Sequence, residues 1–343
     1  MKQVQEQEKR LAVRDLRKLP KVDLHVHLEC AIRSDTLRRL AQSNRVDLPE
    51  SLLAEGYTFR DFEDFRAAVH GIRPCLCKAS DFSLAGFELC HQHAAEGVRY
   101  FEVSFTLGAH GVRLGDWDMP ISALLDGLQL GRERYGVESR VIVDHGRSQP
   151  EEVAMRALVA ALKYRERGVI GFGLGGNEQR PPELFTRVFL AAIDGGLHSV
   201  PHAGEMSGPA SIRGAIVHLK ADRIGHGIRI LEDPELVAFA REREIALEVC
   251  PTSNVMLGMV RSRQEHPLRE LIEAGLTVTL NSDIPGVLRT NVTAQYTFAR
   301  EQFALDDRAL AKLAWAGVKA SFADPKLKAE LNRDINSWLA FSR

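Results

Sequence analysis

The strongest constraint on the fold of this 343-residue chain is an alternation of short apolar runs with helix-length amphipathic segments. One such run, 22–28 (VDLHVHL), lies near the amino terminus, and a regular series begins at residue 98. The runs in that series have the length and composition of buried strands: 98–105, 139–143, 169–174, 198–202, 222–226, 245–250 and 276–282. Because the connections between them are long enough for crossovers, we predict that all eight strands are parallel.

Eight strand–helix units predict an α/β protein built as a TIM-like (β/α)8 barrel. The helical stretch at 35–95 would be an insertion after the first strand, with Asp35 capping its first helix, and the last ~50 residues would form helices packed on the barrel. A doubly wound open sheet is the alternative. No linker or repeat divides the sequence, so we predict one domain over 1–343, with 1–18 as a polar amino-terminal arm.

Composition excludes several classes of protein. The 45 basic and 46 acidic residues leave a net charge of −1, which argues against a nucleic-acid partner bound through bulk positive charge. No apolar run approaches the ~18 residues of a membrane span, and the highly charged amino terminus does not look like a signal peptide. The 5 cysteines are few and odd in number, which indicates reduced thiols. We therefore expect a cytoplasmic protein that does not bind a membrane.

Two histidines on the first strand are the first candidates for chemistry. Side chains two residues apart on a strand point to the same face, so His25 and His27 would both face the barrel interior. Neighbouring imidazoles are natural ligands of a borderline-soft divalent metal. Taken alone, this spacing is weak evidence of a metal site, and two buried histidines with ordinary hydrogen-bond partners are the more common outcome.

Further polar residues follow the ends of later strands. His202 and Glu205 come at the end of the 198–202 strand, His226 ends the next one between Gly225 and Gly227, and Asp283 follows the last one. Each has an ordinary alternative, such as a helix cap or a satisfied half-buried histidine. Carboxyl ends of barrel strands, however, meet at one mouth. Three imidazoles and a carboxylate there would hold a metal ion and leave room for a water, and zinc would lower the pKa of that water toward 7.

In these motifs the chain resembles the adenosine deaminase family of zinc-dependent purine deaminases. The matching stretches occur in the order of the family and span nearly the whole chain: LPKVDLHVHLECAIR (19–33), GFGLGGNE (171–178), HAGE (202–205), RIGHG (223–227), CPTSN (250–254) and NSDIP (281–285). The resemblance implies a metal-dependent hydrolase barrel that converts the 6-amino group of adenosine or deoxyadenosine to a 6-oxo group and ammonia.

The resemblance also implies roles for individual residues. One Zn²⁺ per subunit would be held by His25, His27, His202 and Asp283. Glu205 would donate a proton to purine N1, and His226 would position and help to deprotonate the water at the zinc ion. Gly176 would contact purine N3 through its backbone, and His27 and Glu29 would line the ribose side.

Four positions depart from the family pattern and leave the substrate open. Cys30 stands where the family usually has glycine, Glu29 replaces the aspartate of adenosine-specific members, and Ser104 replaces an arginine. Ile284 stands where the typical enzymes have the aspartate that hydrogen-bonds purine N7. Adenine, or a 5′-modified adenine nucleoside such as 6-aminodeoxyfutalosine, is therefore an alternative substrate.

Two other classes of function also need consideration. Two-metal amide or phosphoester hydrolases on this barrel often use a modified lysine from a middle strand, but 169–174 and 198–202 contain none. The zinc deaminases of nucleic acids use HxE with PCxxC, and the spacing of Pro74-Cys75-Leu76-Cys77 does not match that motif. A non-enzymatic alternative is a purine-binding sensor, although binding alone would not require Glu205 and His226.

Overall fold

The computed structural model describes residues 14–48, 52, 59 and 62–340. Most of the predicted polar arm and part of the predicted insertion therefore lie outside the described residues. Eight strands form the centre of the described part: β1 (Lys21–His27), β2 (Val98–Phe105), β3 (Glu138–Gly146), β4 (Val169–Gly175), β5 (His198–Ala203), β6 (Arg223–His226), β7 (Ala246–Val249) and β8 (Thr277–Leu280). These correspond to the predicted strands, with ends shifted by at most a few residues.

The strands form a nearly closed barrel and not a doubly wound open sheet. Each strand pairs in parallel with the next, in the order β1 to β8. The first and last parts of the sheet meet through a parallel bridge between Val26 and Asp283. His27 N donates to Asp283 O at 2.8 Å, and Asp283 N donates to His25 O at 2.8 Å. Closure therefore brings the HxH strand and the residue after β8 side by side.

Helices surround this barrel, as the amphipathic segments predict. Their bounds are Leu28–Ala31, Ser34–Asn44, Phe62–Ile72, Ala79–Ala95, Leu107–Leu114, Met119–Tyr135, Glu151–Lys163, Thr186–Asp194, Pro209–His218, Pro234–Glu242, Pro251–Met256, Leu268–Glu273, Pro285–Leu288, Val292–Phe303, Asp307–Ala320 and Pro325–Ala340. Short 3₁₀ turns add Leu16–Lys18, Arg73–Cys75, Arg165–Arg167, Pro182–Phe185 and Ile230–Glu232. None of the described helices has both the length and the apolar character needed to cross a bilayer.

One predicted cap was wrong. Asp35 does not cap the first inserted helix, because that helix begins at Ser34 and Arg33 occupies the cap position. Asp35 instead lies in the first turn of the helix. There its negative charge interacts favourably with the helix dipole, without a capping hydrogen bond.

A network of buried charges fills the lower part of the barrel. Arg223 on β6 is buried and donates to Glu102 on β2 and, at 2.5 Å, to Glu248 on β7. Its guanidinium carbon also lies 3.9 Å from the ring centre of Phe322. Glu248 in turn accepts from His25 Nδ1 at 2.8 Å. The network therefore connects the floor of the barrel to the first predicted metal ligand.

Candidate active site

The three histidines and the aspartate predicted as ligands come from three separate strands and lie together at the carboxyl ends of the strands. Ligand atoms of His25, His27 and His202 lie within 4.8 Å of one another. Asp283 Oδ1 is 3.5 Å from His27 Nε2 and 3.7 Å from His25 Nε2. All four side chains are buried or largely buried. The tertiary structure thus gathers three imidazoles and one carboxylate in a space that a single ion can fill.

The hydrogen bonding of this cluster fits a metal ion. Glu248 occupies Nδ1 of His25, whereas the buried Nε2 of the same ring has no hydrogen-bond partner among the described residues. His202 Nε2 lies 3.2 Å from His27 Nε2, so these two rings direct the same kind of nitrogen toward the cluster. A buried polar atom without a partner is costly, and metal coordination would satisfy it. The pKa values of His25 and His202 are held well below their usual range, chiefly by burial, so both rings are in the neutral form that coordinates metals.

Backbone conformation explains how two of the predicted residues reach the cluster. His226 at the end of β6 has φ +62°, and Asp283 after β8 has φ +60°. This left-handed conformation is uncommon for residues other than glycine and turns each side chain away from the direction the strand would give it. Gly225 also matters, because a Cβ there would come within 2.9 Å of the His25 ring. The predicted tight turn at His226 is present, and Gly225 makes room for a neighbouring imidazole.

Glu205 lies beside this cluster in an environment that favours its protonated form. It is buried, its Oε1 accepts from Asn254 Nδ2 at 3.2 Å, and the same oxygen is 3.6 Å from His226 Nδ1. Burial, together with the negative charges of Asp283 and Glu178, raises the pKa of Glu205 well above its usual range. Glu205 therefore does not cap the helix at Pro209, the ordinary alternative for a loop glutamate, because its carboxylate points into the site.

Three further residues support the site, and none of them was predicted from the sequence. Asn254 contacts both Glu205 and His226 Nδ1, at 3.2 Å in each case. Glu178 accepts hydrogen bonds from the backbone of the loop that carries Glu205. Glu248 orients His25. The sequence does contain signals for these three residues. Glu178 and Asn254 lie in the motifs quoted above, and Glu248 is a charged residue inside an apolar strand.

A cavity of about 180 Å³ opens next to the cluster. Its lining includes the predicted residues His27, Glu29, Gly176, Glu205 and His226. Gly176 has φ +92°, so the chain turns there in a way that suits glycine. The structure therefore places every predicted site residue either in the cluster or on the wall of this one cavity.

Two of the residues that depart from the family pattern make contacts with neighbouring protein groups. The Glu29 carboxylate accepts from His110 Nε2 at 3.0 Å and from Thr106 N at 3.2 Å. Burial acts to raise its pKa, but the hydrogen bond to His110, the charges of His110 and Arg73 and a backbone hydrogen bond together outweigh that effect, and the pKa of Glu29 falls to about 2. Ile284 is buried in an apolar group with Cys30, Leu257 and Leu288. That wall of the cavity therefore offers no polar group at position 284.

Comparison with known proteins agrees with this geometry. The family model described as adenosine deaminase matches residues 20–338. A putative adenosine/adenine deaminase of Streptomyces coelicolor is 36% identical, with 95% of this chain and 98% of that protein covered. Among solved structures, the adenine deaminase of Arthrobacter aurescens superposes with a TM-score of 0.88 at 28% identity and covers 94% of this chain and 99% of its own.

A second solved structure bears on the metal. An amidohydrolase from Burkholderia ambifaria with bound Zn superposes with a TM-score of 0.85 at 25% identity, covering 95% of this chain and 94% of that one. Since the family model spans nearly the whole chain and a relative exceeds one third identity over its full length, this chain belongs to the adenosine deaminase family.

Proposed function

We propose that this enzyme hydrolyses the exocyclic amine of a 6-aminopurine to a 6-oxo group and ammonia, with one zinc ion held by His25, His27, His202 and Asp283. A bound zinc ion lowers the pKa of a coordinated water toward 7 and so supplies a nucleophile at neutral pH. The observation that carries the proposal is the convergence of those four side chains beside a buried glutamate with a raised pKa.

Glu205 would act as the proton donor to purine N1. C6 of an aromatic ring is a poor electrophile, and protonation of N1 withdraws electron density from it. A carboxyl group can donate that proton at neutral pH only if its pKa is raised, and burial shifts the pKa of Glu205 well above its usual range in that direction. Asn254 holds one carboxyl oxygen at 3.2 Å and so fixes the direction of the other.

His226 would position the attacking water and accept its proton. Its Nδ1 faces the amide of Asn254 at 3.2 Å, and its ring centre lies 4.7 Å from that of His25. Burial lowers the pKa of His226, so the imidazole is neutral near pH 7. Accepting the proton at Nε2 would require the tautomer with hydrogen on Nδ1, which would face Glu205 Oε1 at 3.6 Å instead of accepting from Asn254. Gly176 and His27, on the cavity wall, would hold the purine and its substituent against these groups.

The direct test is ammonia release by the zinc-loaded protein from a panel of adenine, adenosine, deoxyadenosine and 5′-substituted adenosines. Adenosine and deoxyadenosine follow from the family resemblance, and the others follow from the positions that depart from it. Release from at least one 6-aminopurine supports the proposal. Tight purine binding without ammonia release would instead identify a purine-binding sensor.

Glu205→Gln provides the sharper test of mechanism. We expect the variant to retain zinc and to lose turnover by at least ~10²-fold, because the amide cannot donate the proton that N1 needs. Zinc content by metal analysis and steady-state ammonia release measure the two effects. A wild-type rate in this variant would remove Glu205 from the mechanism.

A further inference from the structure

One buried carboxylate on the cavity wall has no assigned role. Asp144 lies near the end of β3, is 4% exposed and lines the cavity that also contains Gly176 and Glu205. Its Oδ1 is buried and has no hydrogen-bond partner among the described residues. Burying a carboxylate without partners is expensive, so a polar group retained at such a position calls for an explanation.

The neighbouring strand keeps space open for this carboxylate. Asp144 lies opposite Gly173 on β4. A Cβ at Gly173 would come within 2.6 Å of Asp144 Oδ1, and a Cβ at Gly175 within 2.9 Å of Oδ2. Any larger residue at either position would therefore displace the carboxylate. The two glycines thus leave room for the Asp144 carboxylate close to Gly176, the residue proposed to contact purine N3.

The proposed orientation of the purine brings a particular edge of the ring to Asp144. With N1 at Glu205 and N3 at Gly176, the next ring atom on that side beyond C4 is N9. In a free 6-aminopurine N3 accepts and N9–H donates a hydrogen bond. A backbone N–H at Gly176 next to an unpartnered carboxylate at Asp144 presents the complementary pair. In a nucleoside N9 carries the sugar and has no proton to donate.

The contacts of Glu29 and the size of the cavity also favour a free base over a nucleoside. Glu29, on the predicted ribose side, is already bonded to His110 and Thr106. The cavity of about 180 Å³ is smaller than the roughly 300–1,000 Å³ of pockets for drug-sized ligands. A compact base fits this space more readily than a base with a sugar.

We infer that Asp144 accepts a hydrogen bond from the ring N9–H of a free 6-aminopurine, and that the preferred substrate is therefore the base and not its 9-substituted nucleoside. This inference rests on the proposed function, and it deepens it by naming a specificity-determining residue. A hydrogen bond to a charged acceptor is worth about 10- to 100-fold in binding or kcat/KM.

The experiment compares adenine with 9-methyladenine, which differs only in the donor at N9. We expect the kcat/KM of the zinc-loaded wild type to be about 10- to 100-fold higher for adenine than for 9-methyladenine. The kcat/KM for adenosine should be close to that for 9-methyladenine. Asp144→Ala should erase the preference to within about threefold, mainly by lowering the value for adenine. Asp144→Asn, which keeps the shape of the side chain, should reduce the preference for adenine by a smaller factor. This variant still tests the inference if the alanine variant does not fold.

The matched control is Asp194→Asn, an exposed residue at the end of the helix that leads into β5, far from the strand carboxyl ends. It should leave both rates unchanged. A wild type that prefers adenosine or 9-methyladenine, or an Asp144→Ala variant that loses activity equally on both bases, would overturn the inference. If no purine releases ammonia, the proposed function fails separately, and calorimetric affinities for the same two bases still decide the role of Asp144.

Discussion

Asp283 shows how much a single residue can depend on its backbone. The sequence suggested it as a ligand because a carboxylate at the end of a buried strand is costly without a partner. The structure places it at φ +60°, where it pairs with β1 through its backbone and approaches two imidazoles through its side chain. The same residue therefore joins the two ends of the barrel and lies where the proposed ligand set needs a carboxylate.

Asp283→Ala separates these two roles. The backbone bonds to β1 do not need the side chain, so the barrel should still close, although alanine is strained at a positive φ. Loss of the carboxylate should weaken metal retention. Metal analysis after dialysis against a mild chelator measures this, with Asp194→Ala as the control. Zinc content equal to that of the wild type would contradict the assignment of Asp283 as a ligand.

At the scale of elements, the loop after β5 is held by a residue from the loop after β4. Glu178 is buried, and its two carboxylate oxygens accept from the backbone N–H groups of Gly204, Glu205 and Met206, at 2.8 to 3.1 Å, and from Ser211 Oγ at 2.8 Å. One side chain thus satisfies three backbone donors that no strand or helix uses. Its hydrogen bonds fix the path of the loop that carries Glu205.

Glu178→Ala should therefore damage the site without touching the metal ligands. Two buried N–H groups and one partly buried N–H group would lose their acceptor, at a cost of about 1–3 kcal/mol each where water cannot replace it. We expect lower stability in urea unfolding and a lower kcat with zinc retained. Glu178→Gln, which keeps one acceptor oxygen, should lie between the alanine variant and the wild type. Normal kcat in Glu178→Ala would show that the loop holds its position without this carboxylate.

A second element depends on a neutral histidine. His266 Nδ1 accepts from Leu268 N at 3.1 Å at the start of helix Leu268–Glu273, while its Nε2 faces Asn254 Oδ1 at 3.3 Å. Burial lowers the pKa of His266 from 6.5 to about 4. The folded protein thus keeps this ring neutral at a pH where the unfolded chain is already protonated.

The stability contributed by neutral His266 is complete above pH 6.5 and is lost as the pH falls toward 4. The unfolded chain binds the proton first, so the free energy of unfolding should decrease with falling pH across this window. His266→Asn keeps an acceptor for Leu268 N but does not titrate. Urea unfolding at several pH values should give this variant a flatter pH dependence than the wild type, and equal slopes would contradict the assignment.

At the scale of the whole molecule, the floor of the barrel depends on a buried cation. Arg223 lies between Glu102 and Glu248. It links β2, β6 and β7 across the interior and also donates to the backbone of Ala320 at 2.9 Å. The apolar core outside the barrel could form without it, but two carboxylates inside would then be unpaired.

Arg223→Met should cost about 3–5 kcal/mol of unfolding free energy, because removing one partner leaves buried charge uncompensated. The control is Arg132→Met, which breaks a half-exposed ion pair with Glu138 and should cost no more than about 1 kcal/mol. Urea unfolding measures both. If the two variants lose similar stability, the charges in the barrel floor are compensated by other groups.

The sequence by itself indicated the eight strands and the types of the candidate ligands, and it favoured a barrel over a doubly wound sheet, because strand periodicity and the residues at strand ends are local properties of the chain. It placed His25 and His27 on one face of β1 and put the other candidates at strand ends. It could not show that Glu178, Glu248 and Asn254 support them, since each contacts residues from other strands that only closure of the barrel brings near. Closure also decided that Glu29 is bonded to His110 and that Oδ1 of Asp144 is buried on the cavity wall with no hydrogen-bond partner in the described part of the chain. Those long-range contacts depend on packing between distant segments, which no local pattern encodes.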